Sequence, residues 1–446
     1  MESSLQKTEA DGTILSLDDL HSCVRDPILH SIGFLNEIVD RYPNAISLAP
    51  GAPNAIFFKD IDIYQDLERY KSYLKIDKGF SEERIDRILY QYGSSSGQIN
   101  EILSRAFSID EGLICDPNAI VVTVGCQEAI FLTLRALCKQ PSDILGVINP
   151  SFVGAMGAAS VLGLNVVGVS ALDDNGTIDI TRIREICRSL RSSDRKLKLV
   201  YIAPDFSNPT GIVIDFASRK ELLQLAQEQD FFILEDNTYR FFHDRENIMP
   251  SLKALDKDKR VIYVGTFAKI YFPGARIGFV LADQLVKASN NQQEYLACHL
   301  AAIKNMITVN TSPICQAIVA GSLLKAEGSS SRMSITRRDF YRKNLKLLIL
   351  ALEKYFGDDP NLNKLVSWNV PTGGFFVILR FPFDVTDEAL VISAEKYGVI
   401  WTPMSSFYIN ETAKNEIRLS CSYLTPDQID QGVRNLVEFA VNYINK

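Results

Sequence analysis

Short apolar runs alternate with helix-patterned stretches from about residue 90 to residue 310. The runs cover 119–125, 144–149, 165–169, 198–204, 231–235, 260–265 and 276–282. Runs of this length bounded by turn residues read as buried strands, and their alternation with helical stretches predicts a parallel sheet covered by helices on both faces. Ahead of this region, from Pro27 onward, Ile28, Ile32, Leu35 and Val39 recur at helical spacing. Ala45-Ile-Ser-Leu-Ala-Pro50-Gly51-Ala-Pro53 follows. After it, Gly328-Ser-Ser-Ser331 reads as a bend, and Ser334 begins a long charged helix with Tyr341, Leu345, Leu348 and Leu352 along it. A smaller α+β segment completes the chain.

Three of the strands end in residues with chemistry to offer. Val261-Ile-Tyr-Val-Gly265 runs into Thr266-Phe-Ala-Lys269, then Pro273-Gly274 and Arg276. A lysine just beyond a buried strand can become nucleophilic if it is partly desolvated, and Thr266 and Arg276 suit a phosphate. A lysine in a turn is more often a solvated surface residue. Phe231-Phe-Ile-Leu-Glu235 continues into Asp236, with Tyr239 three residues on. A buried carboxylate at a parallel strand's carboxyl end needs a cationic partner; a strand-end Asp also commonly caps the next helix. Leu199-Val-Tyr-Ile-Ala-Pro204 leads to Asn208-Pro-Thr-Gly211, which is turn chemistry in its own right. In one parallel sheet these ends would converge on a single edge.

Composition narrows the setting. The 446 residues are 46% apolar and 23% charged, as in ordinary globular proteins. Net charge is −7 with no basic block, so nucleic-acid binding has no electrostatic support. The amino-terminal stretch lacks the apolar core of a signal peptide, and no apolar run is long enough to span a bilayer. Eight cysteines without paired spacing argue for a reducing compartment, hence the cytoplasm. His21, His30, His243 and His299 form no metal-ligand spacing, and no metal is expected.

Taken in order, the motifs make the chain resemble a fold-type I pyridoxal phosphate enzyme of the class I/II aminotransferase group. They are Tyr92 before a Gly, Gly125-Cys126-Gln127, Phe152, Asn208-Pro-Thr-Gly211, Asp236-x-x-Tyr239, Thr266-x-x-Lys269, Arg276 and Arg418 in a late strand. Each motif alone matches by chance; the family order of all eight carries the resemblance, which runs from about Pro27 to Tyr423. It implies an α/β fold whose large domain, 61–329, holds a mainly parallel seven-stranded sheet. A smaller α+β domain is formed by 21–60 and 330–446, behind a polar arm at 1–20.

The resemblance also implies roles. Pyridoxal 5'-phosphate would be held by Lys269 as Schiff-base lysine and general base, with Asp236 at the ring nitrogen and Asn208 and Tyr239 at the phenolate oxygen. Phe152 would lie on the ring face. Gly125, Cys126, Gln127, Thr266, Arg276 and the neighbouring subunit's Tyr92 would surround the phosphate, the last implying a homodimer with shared sites. Arg418, Gly51 and Asn208 would receive the substrate carboxylate. The implied reaction moves an amino group from an L-amino acid to a 2-oxo acid by a ping-pong mechanism. A decarboxylase, lyase or oxidase of the same fold is the alternative, because the same residues around the cofactor serve it equally; a non-catalytic binding module is a third reading.

Outside the resemblance, Phe152 also reads as core, Cys126 as a small packing residue and Arg418 as a surface strand residue. Several positions depart from the family pattern. Cys126 replaces a small hydroxyl, Ala268 precedes the lysine, and Met404 stands where a Gly is usual. Leu29 stands where kynurenine/aminoadipate-type relatives carry an Arg, which weighs against acidic side chains. Phe34–Pro43 together with Trp401-Thr-Pro-Met404 is similar to aminotransferases of peptide natural-product pathways, including those making aryl-glycines.

Overall fold

The computed structural model describes residues 15–139, 141–244, 248–287, 291–409 and 414–444. Of the expected polar arm at 1–20, residues 1–14 lie outside these. The helix at 28–41 forms as predicted (α1, Ile28–Arg41). Every apolar run becomes a strand: β1 Ile120–Val124, β2 Asp143–Asn149, β3 Asn165–Ala171, β4 Lys196–Ile202, β5 Phe232–Asp236, β6 Val261–Thr266 and β7 Ile277–Leu281.

They join in one sheet, in the order β1-β7-β6-β5-β4-β2-β3. β2 to β6 pair in parallel where they touch, while β7 pairs antiparallel with both β6 and β1. β1 therefore points the same way as β6. The carboxyl ends of β1 to β6 share one edge with the amino end of β7, the edge where open α/β sheets place ligands.

Both faces of the sheet are buried because alternate residues point to opposite sides. Val147, Leu199, Tyr201, Leu234 and Ile262 face one layer. Ile148, Val200, Ile202, Ile233 and Val261 face the other. The first layer includes Gly125–Leu137 and Val153–Val161; the second includes Ile180–Ser192 and Phe216–Gln229.

Element boundaries moved wherever a distant or backbone partner intervened. The run at 198–204 shifts to Lys196–Ile202, since Pro204 has no N–H for the ladder. The helix after β1 starts at Gly125 itself, where Glu128 Oε2 accepts the Val124 N–H at 2.7 Å and closes the first turn. The helix expected from Ser334 starts at Ser330. Ser329 Oγ accepts the Arg332 N–H at 3.0 Å, and Asp110 accepts the Ser329 hydroxyl at 2.5 Å and the Ser330 N–H at 2.7 Å.

A second, antiparallel sheet follows the order β8-β9-β11-β10: β8 Ser367–Trp368, β9 Phe376–Arg380, β10 Thr402–Pro403 and β11 Glu416–Ser420. Its core joins Val377, Leu379, Ile417 and Leu419 to Ile38 of α1 and to Leu345, Leu348 and Leu436. The stretch after α1 is stitched across this sheet. Leu48 N–H donates to the Ile400 carbonyl at 2.7 Å, and Ser420 N–H donates to the Leu48 carbonyl at 2.6 Å. Ala49 to Gly51 are thereby laid against β11. Among the described residues no helix is long and apolar enough to cross a membrane.

Candidate active site

Gly125 has φ +74 and a Cβ there would stand 2.5 Å from Arg276 Nη2, so only glycine lets the guanidinium lie over the first turn of the helix that β1 feeds. Arg276 is itself left-handed, at φ +50, and turns the chain into β7. The first N–H groups of Gly125–Leu137 have no intrahelical acceptor and carry the positive end of the helix dipole. Gln127 Nε2 donates to the Gly154 carbonyl at 2.6 Å, tying this turn to the segment that begins at Phe152. Together they form an anion cup. Thr266 borders it, but its hydroxyl already donates to the Ile277 carbonyl at 3.1 Å and accepts the Ala268 N–H at 3.1 Å.

Lys269 leaves the turn after β6 and donates from Nζ to the Gly51 carbonyl at 2.6 Å, with the Tyr239 ring 5.9 Å away. Burial, then the charges of Arg418 and Arg276, bring its pKa down to about 8, against the opposing pull of Asp236. An amine in that state is partly neutral near physiological pH, as a nucleophile or base must be.

Asp236, at the last position of β5, is buried. Its Oδ1 accepts from Thr238 Oγ1 at 2.6 Å and Thr238 N at 3.1 Å, and its Oδ2 accepts from Tyr201 Oη at 2.8 Å. Burial pushes this carboxyl up, while Thr238, Tyr201 and the facing Cys126 thiol pull it back.

Arg418, on β11, donates to Asn208 Oδ1 at 2.6 Å, to the Ala49 carbonyl at 2.9 Å and to Thr402 Oγ1 at 3.2 Å. Its guanidinium lies 4.4 Å from the Phe376 ring and 5.1 Å from the Phe407 ring. Nε is buried without a hydrogen-bond partner. Burial lowers this group to about 10. Gly51 is close-packed here: a Cβ would stand 2.5 Å from the Phe376 ring.

The fold thus brings Gly51, Gly125, Cys126, Gln127, Asn208, Asp236, Tyr239, Thr266, Lys269, Arg276 and Arg418 together about the carboxyl ends of the strands, with Phe152 at the start of the adjoining helix. Tyr92 stands elsewhere on this chain, 85% exposed in a groove shared with Arg84, Arg87 and Gln98. Sequence reasoning missed Tyr201, Thr238, Phe376 and the Ala49 and Gly51 carbonyls. Tyr201 had one signal, a hydroxyl within the otherwise apolar run Leu199–Ala203; the carbonyls had none.

This set fits pyridoxal phosphate. The cup over Gly125 is shaped for an anion, and the amine of Lys269 is held partly neutral. Asp236 is buried, and the groups that steady it are the hydrogen-bond donors of Thr238, Tyr201 and Cys126 rather than a paired cation, which leaves it suited to a cationic ring nitrogen.

Comparisons agree with this chemistry. The family model described as aminotransferase class I and II matches residues 82–436. A (S)-3,5-dihydroxyphenylglycine transaminase of Amycolatopsis orientalis is 39% identical over 425 residues, covering 95% of this chain and 94% of that protein. The mitochondrial kynurenine/alpha-aminoadipate aminotransferase of Bos taurus is 29% identical, over 94% and 96%. Among solved structures, Pyrococcus horikoshii kynurenine aminotransferase in complex with PMP superposes with a TM-score of 0.78 at 28% identity, over 97% and 98%.

Proposed function

The chain belongs to the class I and II aminotransferases and is a pyridoxal-phosphate-dependent transaminase; from that premise we propose that its amino donor is an L-amino acid with an aromatic side chain, aryl-glycines included. The acceptor is a 2-oxo acid, the two half-reactions follow one another in ping-pong order, and the working unit is a homodimer with shared sites. The observation that carries the donor class is the pair of aromatic rings packed on the carboxylate clamp, Phe376 and Phe407 beside Arg418. Leu29, on the helix that opens the chain's fold, adds no charge for an acidic side chain. The 39% identity to a dihydroxyphenylglycine transaminase points the same way.

Pyridoxal phosphate, when bound, supplies the electron sink that lets a proton leave the substrate Cα. Arg276, Thr266 and the N–H groups of residues 125–127 would hold its phosphate, Asp236 its ring nitrogen, and Asn208 and Tyr239 its phenolate oxygen. Arg418, whose Nε–H is the donor left without a partner, binds the substrate carboxylate and so orients the Cα–H bond. Lys269 Nζ takes that proton, a task its lowered pKa suits. The rings of Phe376 and Phe407 keep water from the guanidinium, which strengthens the clamp. The same reading places the enzyme in the cytoplasm, supported by eight unpaired cysteines; recovery from a membrane or secreted fraction would count against it.

The test is a donor panel with a common 2-oxo acid acceptor. Phenylglycines and aromatic amino acids are expected to exceed glutamate and 2-aminoadipate in kcat/KM by about tenfold or more. A preference for the acidic donors would sink the donor assignment, and crossing rather than parallel double-reciprocal lines would sink the ping-pong order.

A further inference from the structure

A carboxylate buried without a directly paired cation tends to take up a proton and become neutral. Asp236 is 6% exposed, and its close partners among the described residues are hydrogen-bond donors rather than a cation. What opposes neutralisation is a set of donors. Thr238 supplies two, both to Oδ1 and both from the segment that carries Asp236 itself. Tyr201 supplies the bond to Oδ2, at 2.8 Å, from the neighbouring strand β4. The other titratable groups facing this carboxylate are the Cys126 thiol, the Tyr239 phenol and, at longer range, the Lys269 amine.

Tyr201 is the donor whose anchoring is independent of Asp236. It lies on an interior strand of the sheet, in register with Leu234 of β5 and Val147 of β2, and is 2% exposed. Burial and the adjacent Asp236 push its own hydroxyl well above the ordinary range, so it keeps its proton and remains a donor. Buried phenols usually find a partner, most often a backbone carbonyl or water. Here the partner is the Asp236 carboxylate at the end of β5.

We propose that Tyr201 is a positioning residue for the reaction: its hydroxyl holds Asp236 as an oriented anion and thereby sets how firmly a proton stays on the ring nitrogen of the bound cofactor. This rests on the reading that Asp236 faces that nitrogen. Without the hydroxyl, Oδ2 loses a donor and the carboxylate competes for the proton itself.

The experiment compares the parent holoenzyme with Tyr201→Phe and Asp236→Asn, each loaded with ring-¹⁵N pyridoxal phosphate and observed by ¹⁵N NMR. In Tyr201→Phe the ring resonance is expected to move toward the unprotonated position. Cofactor release should be about tenfold faster and kcat about tenfold lower, the scale of one hydrogen bond to a charged group. KM for the amino acid should stay within about twofold, since Arg418 is untouched. A resonance, release rate and kcat unchanged in Tyr201→Phe, while Asp236→Asn moves all three, would overturn the proposal and leave Asp236's own assignment standing. A resonance unmoved by Asp236→Asn would overturn the assignment of Asp236 and this proposal with it. Should Tyr201→Phe fail to fold, 3,5-difluorotyrosine at residue 201, a stronger donor of nearly the same volume, is expected to slow cofactor release, and an unchanged rate would overturn the proposal.

Discussion

Lys269 is the residue where burial and charge act most directly on chemistry. Its ordinary pKa of 10.5 falls to about 8 because the ammonium loses water and faces two guanidinium groups. A lowered value for a cation means that the unfolded chain binds more protons between about 8 and 10.5. Through this group, then, stability rises with pH across that window, and the full penalty is present below it. The functional consequence has the same sign. Capture of pyridoxal phosphate by the apoprotein should speed up about tenfold per pH unit below about 8, as the neutral amine fraction grows, and level off above it. Stopped-flow absorbance would follow this, with Lys269→Arg as the control that captures no lysine-linked cofactor. A midpoint near the ordinary value would mean that the site does not desolvate the amine.

At the scale of elements, the lysine's turn is braced from behind. Tyr271, two residues past Lys269, donates to Asp66 Oδ2 at 2.5 Å, and Asp66 lies on α2 (Ile63–Ile76). That helix packs against Pro313–Lys325, and Arg69 Nη1 crosses the contact to the Gly321 carbonyl at 3.3 Å. The approach is close enough that a Cβ on Gly321 would stand 1.8 Å from the Asp66 carbonyl oxygen. Backbone cannot yield as a flexible side chain would, so the helices must separate. Gly321→Ala should therefore cost about 2–3 kcal/mol of stability, read as a lowered midpoint in urea. A midpoint within error of the parent would show that the two helices are free to slide.

Over the whole molecule, one expected site residue lies away from the others of its own chain. Tyr92 is 85% exposed, and the nearby Met306 and Ile307 are 79% and 50% exposed. Ser95 Oγ bonds Asn305 Oδ1 at 3.0 Å, so the two segments form one face. An exposed apolar face of this kind suits a self-complementary dimer contact. If Tyr92 serves the partner's phosphate cup, a dimer of one Lys269→Ala chain and one Tyr92→Ala chain contains one intact site and one doubly damaged site. Purified hybrids carrying two different tags should recover about half of the parental activity, where each variant homodimer is impaired. Hybrids no better than the Tyr92→Ala homodimer would place Tyr92 in its own chain's site or in none.

The sequence by itself determined the seven strands and the residues that follow them. Apolar runs and the turns that stop them are local, so Gly125, Asn208, Asp236 and Lys269 could be assigned to strand ends without knowing strand order. Parallel pairing then sufficed to expect them on one edge. Other features depended on chain segments meeting across long separations. Lys269 bonds a carbonyl 218 residues away and Arg418 bonds an Asn 210 residues away. The helix at 330–352 starts early because of Asp110, 219 residues before Ser329. The Tyr201 hydroxyl reaches Asp236 only because β4 lies beside β5 in a register that packing of both sheet faces sets. Periodicity states which face of an element is buried; it does not state what lies against that face. For that reason the residues proposed to hold the cofactor were legible in the chain, and the ones that hold those residues in place became visible only in the folded structure.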